Sequence, residues 1–510
     1  MTDFMTSLEK VLGEEYNVSI TENGAVGYRT TGKELLDINF SISSLRNKSE
    51  EEVVERFQRV LEEDLVLGIK WLFYASDVRG GVGERRLFRI GIKHLATTYP
   101  DITKALLPLI PEYTRWDNVF CLLDTSLRDD VVKLVKNQLA YDMCCLAENK
   151  SISLLGKWMP SLNATSLETK RYARYLCSKL GLTDRKYRKM LSKLRAYLDV
   201  VEVSMSANKW SDIEYSAVPS RANLLYADAF LKHDKERRSA FLSSLSKGET
   251  KINAGVLFPH DIVCKYRGGS VYDIDHTLEE LWKALPDYVN GSGNTICVSD
   301  GSGSMQSYKI GKNTSKSCLD VAEALAIYFS ERSSGQFKDK YITFSERPQL
   351  VDLSSGKMLR EKINICRRYR EVANTNIEAV FDLILYTATK SNMTQEDMPQ
   401  NILILSDMEF DICAEANNGP ISKKLFQVIE ERYKAAGYKL PRLVFWNING
   451  RSDTIPVKEN EMGVALVSGF SPAIVKMVLS NSTDPLDCLL EQVNSERYDL
   501  VQKAIESVID

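Results

Sequence analysis

Residues 295–304 read Thr295-Ile-Cys-Val-Ser-Asp300-Gly-Ser302-Gly-Ser304. The first six form a short apolar run ending on a carboxylate, the pattern of a buried strand. The last four form a glycine-rich turn at its carboxyl end. Downstream the same alternation recurs. Residues 340–345, 401–408, 443–448 and 463–469 read as strands, and 317–331, 376–390, 421–436, 471–480 and 484–508 as helices. Strands alternating with helices of this length predict a parallel, doubly wound α/β sheet covered by helices. In such sheets ligands bind at the carboxyl ends of the strands.

The Asp300 turn presents a carboxylate and two hydroxyls at alternating positions, and Gly301 and Gly303 let the backbone curl so that they converge. Thr375 stands just before a predicted helix, and Asp407 ends the predicted strand 401–408. The topology brings these three loops to one sheet edge. Hard oxygen donors of low total charge suit Mg²⁺. They do not suit zinc, which prefers nitrogen and sulfur. Each element has a plainer reading: a flexible turn at 300–304, a capping box from Thr375 and Glu378, a cap at Asp407. Their order and strand-end placement favour the metal site.

Upstream of residue 290 the pattern turns helical. Val53, Val54, Phe57, Val60, Leu61 and Leu65 recur at helical spacing, and similar stretches follow near 86–96, 117–124, 129–147, 168–180, 185–198, 221–231 and 236–246. Residues 16–40 carry Asn-Gly and Thr-Gly turn signals and predict a hairpin or extended arm. The expected organisation is an arm over 1–44 packing on a helical module over 45–290, a linker at 287–294, and the α/β domain over 291–510.

The whole chain of 510 residues carries a net charge of −3. At about 150 residues per domain that length predicts two to four domains. Ordinary apolar and charged fractions exclude a disordered, collagenous or uniformly basic protein. The total conceals an uneven distribution. Between Glu168 and Tyr197, Lys170, Arg171, Arg174, Lys179, Arg185, Lys186, Arg188, Lys189, Lys193 and Arg195 face only two acidic residues. Tyr172, Tyr175, Tyr187 and Tyr197 are interleaved with them. Cations neutralise phosphates and aromatic rings stack on unpaired bases, so this stretch is a candidate RNA-binding surface. The plainer reading is two solvated helix faces with core tyrosines. A second cluster, Arg79, Arg85, Arg86 and Arg89, surrounds Gly80, Gly81 and Gly83. It is no Walker loop, because no Gly-Lys-Ser/Thr follows.

Ten cysteines without a Cys-x-x-Cys pair and four scattered histidines offer no zinc spacing and predict reduced thiols in the cytoplasm. No apolar run reaches the ~18 residues of a membrane span, and the N-terminus lacks a signal-peptide pattern.

With Thr375 and Asp407, the Asp-x-Ser-x-Ser turn matches the metal-ion-dependent adhesion site of the von Willebrand factor A domain one for one, and residues 295–480 resemble that domain. The resemblance implies Ser302, Ser304 and Thr375 as direct Mg²⁺ ligands, Asp300 and Asp407 acting largely through water, and a position open to a partner's carboxylate. Thr21-Glu-Asn-Gly-Ala25, Arg79-Gly-Gly-Val-Gly-Glu-Arg85, Pro259-His-Asp-Ile-Val263, Asp300-Gly-Ser-Gly-Ser-Met305, Ser406-Asp-Met408 and Phe445-Trp446 together resemble a family of unknown function known from viruses, bacteria and plants. That family is similar to the Ro autoantigen, whose TROVE module of HEAT-like helical repeats precedes the same kind of A domain. The resemblance implies a monomeric, non-enzymatic protein that binds structured or misfolded non-coding RNA through a helical solenoid or ring. A protein-interaction scaffold is the alternative. A phosphoryl-transfer enzyme is a third reading, weakened because a haloacid-type phosphatase needs a second Asp where Ser302 stands.

Overall fold

The computed structural model describes residues 5, 16–267, 273–289, 294–311, 314–344, 347–370, 376–410, 425–457, 463–474 and 484–509. The chain divides into two compact units, each built from separate stretches. One holds residues 1–49, 58–63 and 257–493, and the other 50–57, 64–256 and 494–510.

The first unit carries a hairpin and a sheet. The hairpin pairs β1 (Val18–Ile20) antiparallel with β2 (Val26–Tyr28). The sheet contains β3 (Thr295–Asp300), β4 (Lys340–Phe344), β5 (Gln349–Asp352), β6 (Asn401–Ser406), β7 (Arg442–Asn447) and β8 (Val464–Ser468), in the order β5-β4-β3-β6-β7-β8. Every pairing is parallel except β4 with β5. The sheet is therefore mixed rather than wholly parallel. β5 escaped the sequence reading because Gln349-Leu-Val-Asp352 is a short edge strand with only Val351 fully buried. The central strands were legible because both faces are covered: Ile402, Leu403, Ile404 and Leu405 are all at most 1 % exposed. Each such side chain contributes about 1.5–3 kcal/mol through burial.

The helix Cys318–Arg332 packs on β3, β4 and β6. Ser317 starts it through a capping box with Asp320. Its expected apolar face (Cys318, Val321, Ala322, Leu325 and Phe329) is buried, and the rest of the helix is largely buried too, because the helix Pro259–Arg267 packs against it. Residues 257–289 thus belong to the sheet unit rather than to a helical module ending at 290.

The N-terminal segment is also part of this unit. Tyr28 exchanges backbone hydrogen bonds with Ile455, the Thr21 hydroxyl donates to the Phe410 carbonyl at 2.6 Å, and the Ser43 amide donates to the Ser468 hydroxyl at 3.0 Å. The described part of the expected arm, residues 16–44, therefore packs on the sheet unit rather than on the helical module, because its turn and strand amides find acceptors on the loops after β6 and β7.

The second unit is helical. Its main helices are Leu65–Ser76, Arg85–Thr98, Arg128–Ala147, Leu167–Lys179, Asp184–Tyr197 and Lys235–Ser246. The expected helix over 484–508 is two: Pro485–Val493 lies in the sheet unit, and Asp499–Ile509 packs on Leu65–Ser76 and Pro100–Leu106 in the helical unit. The break falls at Asn494, where the chain passes from one unit to the other. Among the described residues no helix is long and apolar enough to cross a membrane.

Candidate metal centre and basic helix face

The chain runs from β3 outward to β4 and β5 on one side, then crosses to β6, β7 and β8 on the other. The crevice between the carboxyl ends of β3 and β6 is the topological switch point, where open α/β sheets bind ligands. The parallel register sets Ser299 opposite Leu405, so Asp300 meets Ser406 and Asp407. The Ser406 hydroxyl donates to Asp300 Oδ2 at 2.6 Å, and the Ser302 amide donates to Asp300 Oδ1 at 2.9 Å. The Ser302 and Ser304 hydroxyl oxygens lie 2.9 Å apart. Asp300 and Asp407 are fully buried, and Ser302 is nearly so. Met408 adopts a left-handed backbone at φ 63°, turning the chain sharply after Asp407.

Burial, and then the charge of Asp407, push the Asp300 carboxyl well above the usual carboxylate range. Burial also raises Asp407, against the pull of Arg451. Two buried carboxylates beside converging hydroxyls offer hard oxygen donors of the kind a divalent cation takes. Burial pushes the neighbouring Cys318 thiol up to about 12, so it stays neutral and supplies no thiolate. Among the described residues no group of three or more His, Cys, Asp and Glu side chains is placed to hold a metal. The donor set is two carboxylates plus hydroxyls. The structure brings together Asp300, Ser302, Ser304 and Asp407; Thr375 lies outside the described residues.

Sequence reasoning missed the groups around Asp407. Arg451 Nη1 donates to Asp407 Oδ2 at 2.5 Å, while its Nε and Nη2 donate to Glu22 Oε2 at 3.0 and 2.6 Å. Its guanidinium lies 4.1 Å over the Tyr308 ring. Glu409, fully buried, accepts from the amides of Glu22, Arg451 and Ser452 at 2.7–2.9 Å. A buried Glu two residues beyond a strand-end Asp was the one local signal.

In the helical unit, Ser166 and Thr183 cap the helices Leu167–Lys179 and Asp184–Tyr197 by accepting from Thr169 and Lys186 amides. Arg171, Arg174, Lys179, Arg185, Lys186, Arg188, Lys189 and Lys193 are exposed, and Lys170 and Arg195 half-buried. Three of the ten are engaged elsewhere. Arg171 Nη2 donates to both carboxylate oxygens of Asp124 at 2.7 and 2.9 Å, Lys179 pairs with Asp129 at 3.3 Å, and Arg195 donates to the Gly156 and Met159 carbonyls and the Ser161 hydroxyl at 2.9–3.1 Å.

Of the interleaved tyrosines, Tyr172 and Tyr187 are framework residues, whereas Tyr175 is half-buried and Tyr197 exposed. Tyr172 and Tyr187 are buried, their hydroxyls donating to Asp124 and to the Pro160 carbonyl, and Tyr197 donates to the Lys150 carbonyl at 2.9 Å. Helical spacing explains the difference: Tyr187, Leu191 and Leu194 form the buried stripe, and Arg185, Lys186, Arg188, Lys189 and Lys193 occupy the opposite face.

The glycine run at 80–83 is a tight turn. A Cβ at Gly81 would lie 1.9 Å from the Tyr74 carbonyl oxygen. Arg79 is exposed and Arg86 half-buried. Arg85, itself exposed, has the like charges of Arg115, Arg89 and Arg221 around it. Arg89 and Arg115 share Asp117. The second cluster is therefore wider than 79–89, since Arg115 and Arg221 join it only through the fold.

Residues 294–507 match a family described as a domain of unknown function (DUF7788), and residues 124–294 match a second such family (DUF2828). An uncharacterized protein, L728, of Acanthamoeba polyphaga mimivirus is 29% identical over 554 aligned residues, covering 97% of this chain and 91% of that protein.

Proposed function

We propose that this chain is a non-enzymatic binding protein with two ligand surfaces: a divalent-cation site on a von Willebrand factor A-like sheet unit, and a basic helix face for RNA on a Ro-like helical unit. The observation that carries the reading is the convergence of Asp300, Ser302, Ser304 and Asp407 at the switch point. Ser302 and Ser304 would hold Mg²⁺ directly, with Asp300 and Asp407 acting through water. A bound ion would offer its open position to a partner's carboxylate. Ser406 keeps Asp300 oriented and Arg451 holds Asp407 by a hydrogen bond, so the protein supplies fixed oxygens that need little rearrangement on binding.

The experiment is Mg²⁺ titration of the full chain by calorimetry, with Mn²⁺ as the paramagnetic probe. Ser302→Ala with Ser304→Ala is expected to abolish binding and leave the circular-dichroism melt within a few degrees of the parent. Retained binding by the double variant would falsify the site assignment.

For the helical unit, five like charges on one exposed helix face support backbone phosphate contact. Burial of the Tyr172 and Tyr187 rings favours phosphate contacts over base stacking at those two positions. It also gives the scaffold reading its one specific support, since a basic face with fewer stacking rings suits an acidic protein as well. Nucleic acid retained on the purified protein at moderate salt separates the two.

A further inference from the structure

We infer that Arg451 is a built-in counter-cation of the candidate metal centre, and that Glu22, delivered by the N-terminal hairpin, sets how strongly it opposes the metal. This rests on the metal reading of the Asp300–Asp407 crevice.

Four observations carry it. The guanidinium contacts both loops that bear the site's oxygens: it donates to Asp407 after β6 and lies over Tyr308, four residues beyond Ser304. Every guanidinium nitrogen is committed, one to Asp407 and two to Glu22. Asp407 is fully buried, so the single positive charge beside it acts in a medium of reduced dielectric. Finally, Glu22 is fixed from behind. Its own amide donates to Glu409 Oε2 at 2.9 Å, Asn23 Nδ2 donates to the Glu409 carbonyl at 2.7 Å, and Thr21 is tied to Phe410. The Thr21–Ala25 turn, which the metal ligands alone leave without a role, thereby places a carboxylate on the guanidinium.

The electrostatic consequence has a definite sign. A fixed cation against Asp407 neutralises charge that would otherwise attract the metal, so it weakens divalent-ion binding. Glu22 offsets part of that cation. Removing the cation therefore tightens binding, and removing the carboxylate loosens it. A purely structural brace behaves differently, because loosening it from either side disorders the loop and weakens binding in both variants.

The test is Mn²⁺ and Mg²⁺ affinity of the full chain, read by electron paramagnetic resonance and calorimetry. Arg451→Gln is expected to bind about tenfold tighter or more, and Glu22→Gln several-fold weaker. Arg451→Lys keeps the charge while losing the forked geometry, and is expected near the parent affinity. Unchanged or weaker binding by Arg451→Gln, with its melt intact, overturns the inference while leaving the metal site standing. Should Arg451→Gln fold poorly, Glu22→Gln at a half-exposed side chain decides through its salt dependence: an electrostatic role makes its loss of affinity shrink as salt screens the charge, whereas unchanged affinity, or a loss that is the same at every salt concentration, overturns the inference. Absence of binding by both the parent and Arg451→Gln overturns the metal site itself, and this inference with it.

Discussion

If the helix Asp184–Tyr197 contacts RNA phosphates, its exposed face dictates how binding responds to salt. Arg185, Lys186, Arg188 and Lys189 are exposed, lie opposite the buried Tyr187–Leu191–Leu194 stripe, and form no ion pair among the described residues. Arg188 only returns a 3.3 Å hydrogen bond to the Asp184 carbonyl of its own helix. Replacing all four with Gln keeps helix propensity and removes four cations without touching the core. Each phosphate neutralised on a single strand contributes about 0.7 to the slope of log affinity against log salt. Without these four cations the slope would flatten by about 2.8, and binding would weaken by up to about 600-fold at 0.1 M salt. Fluorescence anisotropy of a labelled single-stranded RNA, over a series from about 50 to 300 mM salt, measures both quantities. A slope that falls by less than about one would place the phosphates elsewhere and refute the argument. The parent must show a steep slope first; a flat one refutes the RNA reading outright.

Other substitutions separate framework from function. Arg195→Ala removes three hydrogen bonds to the 156–161 segment, and urea unfolding should register a loss of about 2–3 kcal/mol. Lys193→Ala, exposed on the same helix, should change stability by less than about 0.5 kcal/mol. Burial pushes the Asp37 carboxyl up to about 6, although Thr30 and Thr31 hydrogen bonds oppose the shift. The folded state therefore prefers protonated Asp37, and its stabilising contribution, full below about pH 4, is lost as pH rises through 6. Melting temperature of the parent minus that of Asp37→Asn should fall between about pH 4.5 and 7; a pH-independent difference would show that the carboxyl does not titrate in this range.

The strands of the sheet were legible because burial on both faces leaves near-continuous apolar runs such as Ile402–Leu405 and Leu443–Trp446. The edge strand β5 lacks that signature. The turn at 300–304 was legible because its glycines and hydroxyls fall within five residues. Arg451 and Glu22 were not, since they stand 429 positions apart and meet only through the docked hairpin. Helical amphipathicity shows that a face is buried but not what buries it, so residues 257–289 and 499–509 give no hint along the chain of which unit they complete. The same limit applies to Tyr172 and Tyr187: alternation with cations along the chain says nothing about which side of the helix each occupies.

The interleaved chain path has a consequence for synthesis. The helical unit needs Asp499–Ile509, whose buried Val501 and Ile505 belong to a helix packed on Leu65–Ser76 and Pro100–Leu106. Nearby, Arg497 and the Tyr498 hydroxyl meet the buried Asp77 carboxylate. Those residues are translated long after the helices they cover. The earlier helices must therefore wait, with an apolar seam and a buried-to-be carboxylate exposed, until residues 494–509 have emerged. Expression of residues 45–290 alone would leave that seam open permanently. A faithful isolated helical unit requires residues 494–509 to be grafted back, by fusion or by adding them in trans.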